Sequence, residues 1–104
     1  MYTSGVSQLR FEWDPRKATS NKAKHGVSFE EASSVFADEL ALFVADPEHS
    51  DEEEERFILL GLSSHVRLLV VVHAHREDDG VVRIISARRA NTRERTQYRE
   101  SNSP

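Results

Sequence analysis

The chain has 104 residues, 38% hydrophobic and 31% charged, with a formal net charge of −4 and no cysteine. That length suits a single small domain with a modest core, and the lack of cysteine rules out a disulfide framework or a thiolate metal site, as fits a reducing cytoplasm. The longest apolar run, Leu68 to Val72, is far short of a membrane span and no signal-peptide core opens the chain, so a cytoplasmic protein without membrane contact is expected.

Residues 1 to 8 show no sustained period and are expected to be a flexible lead-in, as residues 101 to 104 are a flexible end. Leu9, Phe11 and Trp13 alternate with Arg10, Glu12 and Asp14, the period of a strand with one buried face. Asp14-Pro15 then starts a helix: Asp caps free N–H groups, and Pro at the first helical position gives up a donor that had no partner. This helix should reach Lys24 or His25 and stop at Gly26, which accepts a left-handed cap. A second helix starts at Ser28, with Glu31 at capping-box spacing and Val27 placed to staple onto Ala32. Phe29, Ala32, Ser33 and Phe36 make its apolar stripe, and Trp13, Phe29 and Phe36 are expected in the core.

Residues 40 to 45 read as a strand that Asp46-Pro47 ends, because proline cannot donate to a ladder. Seven carboxylates and no Lys or Arg then fall between Asp46 and Glu55. Such a run is expected to be a solvated loop, the functional alternative being a surface that meets a basic partner. Strands follow at 56 to 62, 67 to 75 and 81 to 87, joined by turns at Ser63 to His65 and at Asp78-Asp79-Gly80, with the uniformly apolar Leu68 to Val72 central in the sheet. Asn91 caps a last helix with Glu94 at its third position. The order strand, helix, helix, four strands, helix predicts an α+β domain over residues 9 to 100. Its antiparallel sheet of about four to five strands packs with two N-terminal helices and a C-terminal one.

Residues 83 to 100 hold six arginines and two acids, Glu94 and Glu100, on a chain that is acidic overall. A local surplus of guanidinium points to phosphate or carboxylate, because Arg presents a planar fork of donors that stays charged. Strand alternation puts Ser86 and Arg88 on one face and Arg83 and Ala87 on the other. Arg88 and Arg89 leave the strand near the N-terminus of the last helix, whose free N–H groups also favour an anion. Lys22, Lys24 and His25 complement the negative end of the first helix, and His25 can also act as an acid or base near neutral pH. His73 and His75 share a strand face, but spacing fixes no third ligand, so neither a metal nor a cofactor is expected.

Three blocks, FEWDPRKATSNKAKHGVSFEEASSVF, ERFILLGLSS followed by RLLVVV, and RIISARRANTRERTQYRE, resemble the BrnT family of toxins from bacterial type II toxin–antitoxin systems. The resemblance runs from Phe11 to Glu100. It implies a RelE-like ribonuclease fold and a toxin that cleaves RNA and arrests translation and growth. It also implies a BrnA-type antitoxin whose ribbon-helix-helix part binds operator DNA, so that DNA is reached only through the partner. The family's polar pattern falls at Lys24, His25, Arg56, Arg67, Arg83, Ser86, Arg88, Glu94, Arg95 and Tyr98. The chain departs from that pattern at His73-Ala74-His75, and at His65-Val66, where a turn containing glycine is common.

RNA can be cut without a metal when the 2′-hydroxyl attacks its own phosphate, given a proton acceptor, a proton donor and positive charge at the phosphate. The catalytic expectation is that Arg88 and Arg95 clamp the scissile phosphate with Arg67 in support. Tyr98 would stack on a base or donate a proton, and Lys24 or His25 would transfer one. Arg56, Arg83, Ser86, Arg89 and Arg93 are expected to bind the RNA, an mRNA either free or on the ribosome. The alternative is a non-catalytic interaction module whose basic face binds a partner.

Overall fold

The computed structural model describes residues 9–46, 54–76 and 80–103. The lead-in 1–8, most of the acidic run, and Asp78-Asp79 of the expected hairpin turn lie outside these residues. The elements are strand β1 (Arg10–Glu12), helices α1 (Pro15–His25) and α2 (Phe29–Ser34), strands β2 (Leu42–Ala45), β3 (Arg56–Leu62), β4 (Leu68–Arg76) and β5 (Val81–Arg89), and helix α3 (Thr92–Ser101). None of the described helices is long and apolar enough to cross a membrane.

The helix boundaries follow from their caps. Asp14 accepts the Arg16 N–H at 2.8 Å, Pro15 opens α1, and Gly26 closes it at φ 70°. Asn91 and Glu94 form a complete capping box at the start of α3. At α2 only half of the expected box forms: Ser28 Oγ accepts the Glu31 N–H at 3.0 Å, while the Glu31 side chain turns away to other partners. A 3-10 turn, Val35–Ala37, prolongs α2, and its tighter winding brings Val35 into the buried stripe with Phe29 and Ala32.

The five strands form one sheet in the order β1-β5-β4-β3-β2. β2 to β5 are the antiparallel meander the sequence suggests, whereas β1 lies parallel to β5, so the sheet is mixed. A parallel neighbour requires a long crossover, and here everything from α1 to β4 provides it. The face of the sheet toward α1 and α2 carries the main core, where Leu59, Leu69, Val71, Ile84 and Ala87 meet Val27, Phe29, Ala32 and Val35. Trp13 and Phe36 pack against this core but are only half-buried, because β1 is short and lies at the sheet edge. Trp13 meets Phe29 edge-on with centroids 5.9 Å apart. On the opposite face Leu60, Val70 and Ala90 form a smaller cluster with Tyr98 of α3.

A bulge changes what β5 presents. Val72 pairs with Ser86 but His73 pairs with Ile84, leaving Ile85 as the extra residue. Beyond it the alternation is offset by one, so Arg83, opposite Ala74, lies on the same face as Ser86 and Arg88. This corrects the expectation of opposite faces, which assumed an unbroken period of two. Arg56 of β3 also pairs with Ala74, and the small alanine leaves the two arginines flanking it.

Candidate active site

The face of the sheet away from α1 and α2 holds a cleft of about 350 Å³ lined by Asp46, Arg56, Ile58, Val70, Val72, Ile85, Ser86 and Arg88. Arg83 joins it through Glu54, whose carboxylate takes the Arg83 guanidinium on one oxygen and lies 3.5 Å from Arg56 Nε with the other. Arg88 makes a two-pronged ion pair with Glu94 of α3, at 2.9 and 2.8 Å. That pair raises the Arg88 pKa and, aided by the Asn91 N–H, holds the Glu94 carboxyl below its usual value against burial. Each arginine on this face therefore meets a carboxylate, which fixes the plane of its guanidinium before any ligand arrives.

A second cleft, about 450 Å³, opens between the β3–β4 turn and α3, lined by Leu62, Val66, Arg67, Leu68, Arg89, Arg95 and Arg99. Arg67 is anchored: Nε donates to Glu31 Oε2 at 2.9 Å, Nη2 reaches Glu31 Oε1, and Nη2 also donates to the Gly26 carbonyl at 3.1 Å. Glu31 is itself buried and accepts the Ser63 hydroxyl at 2.7 Å, with His65 Nδ1 3.4 Å away. The hydrogen bond from Arg67 outweighs burial and keeps the Glu31 carboxyl below its usual value. Arg95 Nε points to the Ala90 carbonyl at 3.4 Å.

The expected catalytic set is thus divided. Arg88 belongs to the sheet cleft with Arg56, Arg83 and Ser86, whereas Arg67 and Arg95 line the second cleft with Arg89. Lys24 and His25 end α1, which packs on the other face of β5: buried Asn21 of α1 donates to the Ala87 carbonyl at 2.8 Å and accepts the Ala87 N–H at 3.1 Å. Neither lines the sheet cleft, and Gly26, next to His25, accepts from Arg67 of the second cleft. Tyr98 lines neither cleft; its hydroxyl donates to Asp38 Oδ2 at 2.7 Å, and burial together with that carboxylate pushes its pKa up to about 12. Arg93 lies on the outward side of α3 beside Thr96, Gln97, Glu100 and Ser101. His73 and His75 do share a face, with ring centroids 5.1 Å apart, and among the described residues no three metal-binding side chains converge.

Sequence reasoning missed Glu54, Asp46, Asp38 and Arg99. Arg99 stood visible as the i+4 neighbour of Arg95, while Glu54 and Asp38 reach Arg83 and Tyr98 from far along the chain.

The architecture has a counterpart among solved structures. The crystal structure of the Brucella abortus ribonuclease toxin, BrnT, superposes with a TM-score of 0.60 over 81% of this chain and 99% of that one, at 20% identity, a likeness of fold. The sequence model of the family described as ribonuclease toxin, BrnT, of type II toxin–antitoxin system matches residues 13–94, and the chain belongs to that family. No curated protein matches the sequence.

Proposed function

We propose that this chain is the RNA-cleaving toxin of a type II module and that it works in the sheet cleft, with Arg56, Arg83 and Arg88 as the phosphate-stabilising groups and Ser86 as a neutral donor. The observation that carries this reading is the bulge at Ile85, which turns Arg83 to the face that holds Arg56, Arg88 and Ser86. The ribose 2′-hydroxyl attacks the adjacent phosphorus: the O2′–P bond forms, the P–O5′ bond breaks, and a 2′,3′-cyclic phosphate and a 5′-hydroxyl result. The 2′-hydroxyl gives its proton to an acceptor and the departing 5′-oxygen gains one. Glu94, held ionised by Arg88, is a weak base, so the rate comes chiefly from positive charge set where negative charge develops. This route runs without a metal ion.

An antitoxin of the BrnA type silences the toxin by covering this face, and its ribbon-helix-helix part carries the pair to operator DNA for autoregulation. Edge strand β2 suits such a partner, since it exposes Phe43 and Val44 together with unpaired backbone groups. The substrate is mRNA in the cytoplasm.

The test is induced expression in a bacterial host of wild type, Arg88→Ala and Arg83→Ala, followed by translation rate and RNA integrity. Arrest with RNA cleavage in the wild type alone, and cleavage in vitro that survives EDTA, is the expected outcome. A folded wild type that leaves RNA intact would overturn the reading.

A further inference from the structure

We infer that the cleft between the β3–β4 turn and α3 is a second anion site, and that it holds a backbone phosphate of single-stranded RNA flanking the bond cut in the sheet cleft. The inference rests on the nuclease reading for its ligand and on the following geometry for its place. Four arginines line this cleft, Arg67, Arg89, Arg95 and Arg99, and among the described residues no carboxylate lines it. Glu31 neutralises Arg67, but no ion pair with a carboxylate forms at Arg89, Arg95 or Arg99 among the described residues. The sheet cleft is different: Glu54 and Glu94 balance its arginines, and Asp46 lines it.

Arg95 and Arg99 stand one turn apart on α3, where like charges repel by a few tenths of a kcal/mol in an isolated helix. Arg89 adds a third cation from the end of β5. An acidic chain that concentrates unbalanced guanidinium in one place gains from an anion there.

The surroundings favour a nucleotide over a bare anion. Leu62 and Val66 are exposed, Val66 to 76%, and with Leu68 they give the cleft apolar lining that the face of a base can cover. The path also fits a polymer. Arg88 lines the sheet cleft and Arg89, the next residue, lines this one; alternation along β5 turns them to opposite faces, so a strand that meets both passes round the end of β5 beside the start of α3.

The test is binding, which separates it from cleavage. A fluorescent single-stranded RNA with 2′-O-methyl riboses, which cannot be cut by its own 2′-oxygen, is titrated by anisotropy across a salt series with wild type, the Arg89→Ala/Arg99→Ala double variant, and Arg99→Glu. Both side chains replaced are at exposed positions without carboxylate partners among the described residues, and a circular-dichroism melt confirms folding. The double variant is expected to bind about tenfold more weakly near 0.1 M salt, with the log–log salt slope smaller by about 0.7 for each phosphate that is no longer neutralised. Arg99→Glu, a single exposed change, is expected to weaken binding in the same direction. Unchanged affinity and slope in both variants, or no binding by the wild type, would overturn the site. Loss of antitoxin binding with RNA binding intact would also overturn it, assigning these arginines to the partner. A wild type that binds but never cleaves would sink the nuclease reading and leave this site standing.

Discussion

Tyr98 of α3 and Asp38, sixty residues earlier in the chain, are joined by a hydrogen bond of 2.7 Å from the phenol to the carboxylate. Asp38 also accepts the Leu62 N–H at 2.8 Å and the Leu40 N–H at 2.9 Å. Burial raises the Asp38 carboxyl, but these three donors outweigh it and hold it below its usual value. One carboxylate thus ties the end of β3, the approach to β2 and the C-terminal helix together. Tyr98→Phe should lose about 1–2 kcal/mol in urea unfolding, the value of a hydrogen bond to a charged group at a half-buried site. It should still cleave RNA at temperatures where it is folded, because its hydroxyl is spent on Asp38. A stable but inactive variant would return that hydroxyl to the chemistry.

Glu31 has a comparable role on the other side of the sheet. Its carboxylate takes the Arg67 guanidinium and the Ser63 hydroxyl while almost fully buried, and so holds the β3–β4 turn against the α1–α2 junction. Glu31→Ala strands Arg67 and Ser63 together. Breaking a buried pair costs about 3–5 kcal/mol, and the partial exposure of Arg67 reduces this to about 2–3. A loss below about 0.5 kcal/mol by denaturant unfolding would show that the turn is held by other means.

Val66 adopts φ 58° at the tip of that turn, where a β-branched side chain crowds its own backbone. The left-handed conformation costs an ordinary residue about 1–2 kcal/mol, and glycine avoids this at an entropic cost of roughly 0.5–1. Val66→Gly is therefore expected to gain about 0.5–1 kcal/mol, read as a melting temperature higher by a few degrees. An unchanged or lower melting temperature would show that the strain is relieved in solution.

The helices were legible because their signals are local. Asp14-Pro15 with Gly26, and Asn91 with Glu94, each place cap and partner within one helix or one turn, and each behaves as the spacing implies. The face of Arg83 was not legible, since the bulge at Ile85 is a property of pairing with β4 and Ile85 carries no turn residue to announce it. Asn21, which holds α1 to β5, looks like any polar helix residue; its partner Ala87 lies sixty-six positions away. Glu31 shows the opposite failure, in which a good local motif lost its side chain to a stronger distant partner, Arg67. The clustering of arginines at the end of the chain was visible, but its division between two clefts depends on where α3 lies across the sheet.

His73 carries a pH dependence. It is fully buried, edge-on to Phe36 at 4.8 Å between centroids and within 6.1 Å of Phe57 and Phe43. Its Nδ1 lies 3.3 Å from the Val71 carbonyl, and Nε2 has no hydrogen-bond partner among the described residues. Burial drives its pKa down to about 4, the Val71 carbonyl opposes this, and His75 adds to it. The unfolded chain takes up this proton near pH 6.5 while the folded chain does not. Its contribution is therefore intact above about pH 6.5 and is lost progressively as the pH falls toward 4, by on the order of 3 kcal/mol at about 1.4 kcal/mol per pH unit. Burial lowers His75 as well, so it adds in the same direction. The lowered carboxyls of Glu31, Asp38 and Glu94 act mainly below about pH 5, where their unfolded forms take up protons. Urea midpoints should accordingly fall between pH 7 and pH 5. In His73→Phe, which keeps an aromatic ring in the cage and removes the titrating group, most of that slope should vanish whatever the absolute stability. A variant that retained the full wild-type slope would assign the dependence to other groups.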